Sequence, residues 1–229
     1  LSILLFTIAT GAAYREYAID MFASAHEHWP EADRLVFTDF PQQMQAHVRS
    51  IHTDPKGYPG ETLMRYHTML KAEHVLRQWD HIFYADADML WVAHPEDITS
   101  YGIVATLHPG FIGTRGSPET RPESWAFCPH NTAYYCGGFQ GGKTDEYLAA
   151  VKTMAERIDD DQKKGIMAKW HDESHFNRYL ADNKPSKVLT PSYCYPEGYS
   201  NQWGWKVEEY KPILLALDKK KRGNHPRFK

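Results

Sequence analysis

Hydrophobic and polar positions along the chain follow two rhythms. "ILLFTIA" (3–9) is a continuous apolar run of strand length, followed by Gly11. From Tyr14 to Trp29 the apolar positions Tyr17, Ile19, Met21, Phe22 and Ala25 return at helical spacing, and Pro30 ends them. "RLVFTDF" (34–40) predicts a second strand ending at Asp39, and residues 61–79 read as helix. "DHIFYADADM" (80–89) predicts a third strand that runs into acid, and "YGIVATLHPG" (101–110) a fourth. "AYYCGGFQGG" (133–142) is a strand with glycines, and 144–158 an amphipathic helix with Leu148, Val151, Met154 and Ile158 in phase. "DDDQKKG" reads as a solvated turn, 170–180 as another apolar-periodic helix and "SKVLTPSYCY" (186–195) as a last strand. Strands alternating with helices predict an α/β layered fold, with a mostly parallel central sheet flanked by helices. Residues 109–132 have no sustained period; a loop that long in a compact domain is functional or mobile, and with 215–229 it is expected to act as a lid.

A chain of 229 residues predicts one domain with a real core. A net charge of −3 and a pI of about 6.5 exclude the basic field of a general nucleic-acid binder, despite the local "KKKR" at 219–222. Seven Trp and fourteen Tyr suit sugar stacking as well as ordinary packing. Cys128, Cys136 and Cys194 form no CxxC pair, which argues against a zinc ribbon and a disulfide framework. The N-terminal apolar run lacks the basic lead of a signal peptide and is too short to span a bilayer. A soluble, cytoplasmic protein with no membrane segment is the expectation.

Two acidic clusters carry the candidate chemistry. In an open α/β sheet, ligands gather beyond the carboxyl ends of the strands, and "ADAD" lies at such an end. Asp86 and Asp88 are two apart, so in extended chain both point one way. Two hard carboxylates on one side suit Mg²⁺ or Mn²⁺, which completes its octahedron with phosphate and water. A surface turn bearing two acids is the plainer alternative, but the apolar "HIFYA" ahead anchors the pair to the core. A phosphohydrolase of the haloacid-dehalogenase type is disfavoured, because its acid pair follows the first strand and this one follows the third.

In "WHDESHFNRYL" (170–180), His171 and His175 share a helix face as a zinc pair would. The zincin pattern needs Glu directly after the first His, where Asp172 stands. Asp172 and Glu173 suit the first turn of a helix as plain caps. Trp170 crowded beside them suits a sugar pocket instead, stacking from the ring and charge from the carboxylates.

"VFTDFP", "DAD", "LHPGF", "YYCGGFQGG" and "WHDESHFNRYL…NKPSKVLTPSYC", in this order from about residue 5 to about 195, resemble glycosyltransferase family 6. This is the family of the histo-blood-group A and B transferases and the α1,3-galactosyltransferases. The resemblance implies a GT-A fold, a Rossmann-like sheet in a single catalytic domain over 1–229. About 1–100 would be its nucleotide-binding half and about 101–229 its acceptor-binding half and tail. It also implies a UDP-sugar donor and transfer, with retention, to the 3-OH of a galactoside, a fucosylated one being the first candidate.

Carried over by position, Asp86 and Asp88 would hold Mn²⁺ (or Mg²⁺) on the UDP diphosphate, and Glu173 would be catalytic. Asp172 would bind donor-sugar hydroxyls, and Ile8, Ala9, Thr10 and Tyr14 the uridine, with Asp39 nearby. Arg65 is a candidate for the diphosphate, as are Lys219 and Arg222, although the tail resembles the family's basic tail only loosely. His108, Trp170 and His171 match acceptor positions, and Ser117 falls where the family has Thr. Donor choice in the family depends on the segment here occupied by Cys136, Gly137 and Gly138. Gly138 matches the small residue of the UDP-GalNAc users, where galactose users have Ala. Cys136 departs from the family's Leu or Met, and Pro196 stands where the mammalian pattern has Asp. A galactosyl enzyme, or a sugar-binding module without catalysis, are the alternatives. Lacking the animal enzymes' anchor and stem, the chain looks like a bacterial or viral member. Many bacterial members carry Asn in place of the acid pair; retention of both acids implies metal dependence.

Overall fold

The computed structural model describes residues 1–198 and 206–219. The N-terminal apolar run is β1 (Ile3–Ile8), and α1 (Gly11–His28) returns the chain to β2 (Ala32–Thr38) and an edge strand β3 (Arg49–His52). Three short helical pieces follow, α2 (Gly60–Leu63), α3 (Arg65–Lys71) and α4 (Glu73–Leu76), then β4 (His81–Ala85), β5 (Met89–Trp91) and β6 (Ile103–Leu107). Beyond the long loop come β7 (Tyr135–Lys143), α5 (Thr144–Lys163), α6 (His171–Asp182) and three short strands: β8 (Lys187–Leu189), β9 (Tyr195–Pro196) and β10 (Leu214–Ala216).

Seven strands form one sheet in the order β3-β2-β1-β4-β7-β6-β8, and β5, β10 and β9 a small second one. β3, β2, β1 and β4 are mutually parallel, and β7 runs antiparallel to both of its neighbours. β1 reads as unbroken apolar sequence because both of its faces are covered. Leu5 joins Met21, Phe22, Phe83 and Trp91 on the α1 side, while Leu4 and Phe6 join Tyr66, Tyr147, Val151 and Phe176 on the other. Among the described residues, no helix is long and apolar enough to cross a membrane.

Several elements differ from the sequence reading. β3 is polar in sequence and gave no strand signal. The helix expected over 61–79 is broken at Met64 and Ala72. The strand expected to 89 stops at Ala85; the chain turns at Asp86–Asp88 before entering the small sheet, so strand alternation does not orient the two acids. The last strand covers only three residues before a 3-10 turn at Pro191–Cys194. "DDDQKKG" is not a solvated turn: α5 runs on to Lys163, and Asp161 is buried.

Candidate active site

The strand order reverses direction between β1 and β4, the place where an α/β sheet opens a crevice at its carboxyl ends. A cleft of about 310 Å³ lies there. Ile8, Thr10 and Tyr14 line it from the β1–α1 corner, Tyr58, Glu61 and Arg65 from the opposite wall, and Asp86, Asp88 and Lys219 from its floor and mouth. Asp39 caps α1, accepting from the Gly11 N–H, and Glu61 accepts from the Thr10 hydroxyl at 2.6 Å.

Arg65 organises the acids. Only 4 % exposed, it sets one guanidinium nitrogen 3.0 Å from Asp86 Oδ1 and donates another to the Gly137 carbonyl at 2.7 Å. Its Nε lies 3.1 Å from Asp172 Oδ2, off the line a hydrogen bond requires, and both atoms otherwise lack a partner among the described residues. Burial pushes the Asp172 carboxyl up to about 7, with Arg65 pulling the other way. Asp86 also accepts from the Tyr84 hydroxyl at 2.7 Å. Asp88 is raised by burial and by the neighbouring charge of Asp86. Lys219 Nζ sits 2.6 Å from Asp88 and 3.3 Å from the Tyr14 hydroxyl. Burial alone would push this ammonium down; Asp88 and Tyr14 hold it above its usual range.

Backbone irregularity places Glu173. Ala105 pairs with Gln140 but Thr106 with Cys136, so Gly137, Gly138 and Phe139 bulge away from β6. The freed Gly137 N–H donates to Glu173 Oε2 at 2.8 Å. Asn177, one turn further along α6, exchanges hydrogen bonds with the Tyr135 backbone and pins the helix to β7. Burial pushes the Glu173 carboxyl up, while the Gly137 N–H and the Tyr134 hydroxyl beside it oppose the rise. His108 packs on Phe111 and Tyr134, and burial pushes its imidazole down to about 4, so it is neutral at pH 7.

His171 opens α6 with φ of 48°, in the left-handed region that side chains other than glycine seldom occupy. That twist separates its neighbours: Trp170 is exposed, while Asp172 is buried against Arg65. His171 itself shares a 3.3 Å hydrogen bond with Thr62 and meets the Tyr58 ring edge-on, toward the nucleotide-side wall rather than beside Ser117. His175 points away, 3.7 Å from Asp161.

The loop 109–132 is fastened down. Glu119, 2 % exposed, accepts from the backbone of Thr120, Arg121 and Lys169 and from the Arg121 guanidinium, which holds it down at about 2. Asp161 accepts from the Ser124 hydroxyl and the Trp125 N–H. Ser117 accepts from Lys169 Nζ at 2.7 Å, beside Trp170.

Seven of the expected donor-side residues, Ile8, Thr10, Tyr14, Arg65, Asp86, Asp88 and Lys219, thus line one cleft. Gly137, Gly138, Asp172 and Glu173 adjoin it through Arg65 and Asp86. Ala9 is buried, and Cys136 turns into the core, its thiol against Cys194. Arg222 lies outside the described residues. Sequence reasoning missed Tyr58, Glu61, Lys169 and Met89. A Cβ built on Gly138 would come 2.5 Å from Met89 Cε and 3.2 Å from Asp86 Oδ2. Only the "GYPGE" turn could have hinted at the first two.

Asp86 and Asp88 fit a divalent cation, since two hard carboxylates two residues apart line one cleft and the charge of Asp86 raises the cost of charging Asp88. Among the described residues no cluster of three or more His, Cys, Asp or Glu could hold a metal, so such an ion would draw its other ligands from phosphate and water.

The model of glycosyltransferase family 6 matches residues 60–221, and the architecture is that family's GT-A fold. Histo-blood group ABO system transferase 1 of Rattus norvegicus is 39 % identical over 145 residues, 61 % of this chain and 41 % of that protein. The human globoside α-1,3-N-acetylgalactosaminyltransferase 1 is 29 % identical over 209 residues, 83 % of this chain and 60 % of that protein. The O-antigen biosynthesis glycosyltransferase WbnI of Escherichia coli is 26 % identical over 196 residues, 82 % of this chain and 81 % of that protein. The chain spans about two-fifths of the length of the rat relative.

Proposed function

Because this chain belongs to glycosyltransferase family 6, we propose that it transfers GalNAc from UDP-GalNAc, with retention, to the 3-OH of a galactoside acceptor. What carries the reading is the half-buried Glu173 carboxylate, braced by the Gly137 N–H and joined to the nucleotide-side cleft by Asp172, Arg65 and Asp86.

Tyr14 and Glu61 receive the uridine, and Asp172 takes the donor-sugar hydroxyls. Asp86 and Asp88 would hold a Mn²⁺ or Mg²⁺ ion, which would supply Lewis-acid neutralisation of the charge on the departing UDP. Arg65 fixes Asp86 and Asp172 in one rigid frame, so diphosphate and sugar ring are held in register. Lys219 adds the chain's own cation beside the diphosphate. As the bond from anomeric carbon to phosphate oxygen breaks, its electron pair leaves with UDP, and Glu173 faces the carbon that becomes electron-poor. It acts there either as nucleophile or as stabiliser of the oxocarbenium ion. The acceptor oxygen then bonds the anomeric carbon, displacing Glu173 where the two have bonded, and passes its proton to the phosphate oxygen of the departed UDP. Trp170, Ser117 and neutral His108 orient the acceptor, with a fucosylated galactose the first to try.

One observation favours the UDP-Gal alternative. The room that Gly138 leaves is filled by the Met89 methyl, which would have to swing aside for an N-acetyl group. UDP release measured with both donors, with and without EDTA, tests the readings together. GalNAc should outrun Gal, and EDTA should stop the reaction. Faster Gal turnover replaces the donor, an EDTA-resistant rate removes the metal, and no turnover with either donor leaves a sugar-binding module.

A further inference from the structure

The acceptor side carries charge that the fold does not consume. Lys169 immediately precedes Trp170, and its Nζ lies 5.8 Å from the centre of the Trp170 ring and donates to Ser117 Oγ at 2.7 Å. Arg115, two residues before Ser117, donates only to the Pro129 carbonyl. Among the described residues, neither cation has a carboxylate within 4.0 Å. Glu119 takes the Lys169 backbone N–H, but its oxygens are filled by Arg121 and by backbone donors. Because Ser117 accepts from Lys169, its own hydroxyl proton points elsewhere, and no described residue receives it.

We infer that Lys169, with Ser117 and Arg115, makes this an enzyme for acidic acceptors: glycans whose sugar beside the attacking hydroxyl bears a carboxylate or a sulfate. An ammonium and a hydroxyl in contact, each with donor capacity left over, are the elements of an anion contact. The adjoining Trp170 face supplies the apolar surface on which a pyranose stacks. Lys169 stands two residues before the start of α6, whose first turn carries Asp172 and Glu173, so its charge offsets these acids for an arriving anion. Exposed charge of this kind discriminates between partners more than it adds affinity. The inference rests on the proposed acceptor role of Ser117 and Trp170.

The test is equilibrium binding at low and at 0.15 M salt, with UDP present, of three matched probes: lactose, its 6′-sulfate, and its 6′-carboxylate. At least one acidic probe should bind about ten-fold more tightly than lactose, and which one does so identifies the anion. The margin should shrink with salt. Lys169→Arg should keep the preference, and Lys169→Glu should reverse it. Equal binding of all three probes overturns the inference, as does a Lys169→Glu protein that weakens all three alike. UDP binding, read first in the same titration, reports separately on the donor cleft. Failure of UDP to bind would sink the glycosyltransferase reading while leaving the anion preference measurable.

Discussion

Two groups of acids in this molecule are supplied very differently with hydrogen-bond donors. Glu119, within the long loop, and Asp161, bound to it, receive directed hydrogen bonds on both oxygens, from backbone N–H groups, a serine and an arginine. Around the cleft, buried Asp172 and half-buried Glu173 and Asp88 have few directed donors: one badly aligned guanidinium, one backbone N–H beside a tyrosine, one lysine. Their titration follows. Glu119 is held down at about 2, while Asp172 is pushed up to about 7 and Glu173 and Asp88 are raised. Saturated acids belong to structure; undersupplied ones keep their remaining capacity for something that arrives.

Breaking an undersupplied acid should therefore cost reaction and not fold. Glu173→Gln is expected to lower transfer by roughly 1,000-fold or more, with UDP affinity within about two-fold of wild type. Single-turnover assays alongside UDP titration check the split. A variant that loses UDP binding in the same proportion would place Glu173 among the structural acids.

Breaking a saturated acid should do the reverse. Glu119→Gln is expected to cost about 2 kcal/mol of stability near pH 7, the exposure of Arg121 having been discounted. Because the folded state holds the Glu119 proton less tightly than the unfolded chain, its contribution is full above about pH 4.5 and fades as pH falls toward 2. Asp172 runs the other way: its carboxyl, raised to about 7, withdraws stability as pH climbs from about 4 to about 7. Denaturant unfolding of wild type and variant between pH 2 and pH 8 separates the two slopes. If Glu119→Gln leaves the acid limb unchanged, the contrast fails.

Gly138→Ala sharpens the comparison at the cleft. The new methyl meets the end of a flexible Met89 side chain, so the protein should fold, and the ratio of GalNAc to Gal use should fall about ten-fold. Competition assays with both donors measure it, and an unchanged ratio shifts donor choice to other residues. The smallest effect belongs to His171→Gly, which removes left-handed strain and should raise stability by about 0.5–1 kcal/mol, read from denaturant midpoints. No gain would mean that the Thr62 and Tyr58 contacts outweigh the strain.

The sequence made the frame legible where the period was long or the apolar run unbroken, as in β1, α1 and α5. It made the cleft legible because Asp86 follows a buried strand. What stayed hidden depends on partners far away in the chain. Asp161 sits among two aspartates and two lysines and reads as solvated; its hydrogen-bond partners Ser124 and Trp125 stand more than thirty positions earlier. The loop itself looked mobile for the same reason, since backbone donors converging on Glu119 leave no mark on composition. Lys219 read as a phosphate ligand, and its pairing with Asp88 needed the small second sheet, which packs β10 beside β5. Met89 looked like plain core until the bulge brought Gly138 beneath it.

The corner at His171 sets a distance as well as a direction. Trp170, His171 and Asp172 look outward, toward the Tyr58 wall and inward to Arg65, three headings from three successive residues. The proposed sugar platform and the donor-side acid are thus separated by two peptide units. Elsewhere in the molecule such spacing rests on how helices and strands pack, and it drifts as they breathe. Here it is a covalent ruler, with the span between the two substrates written into bond lengths.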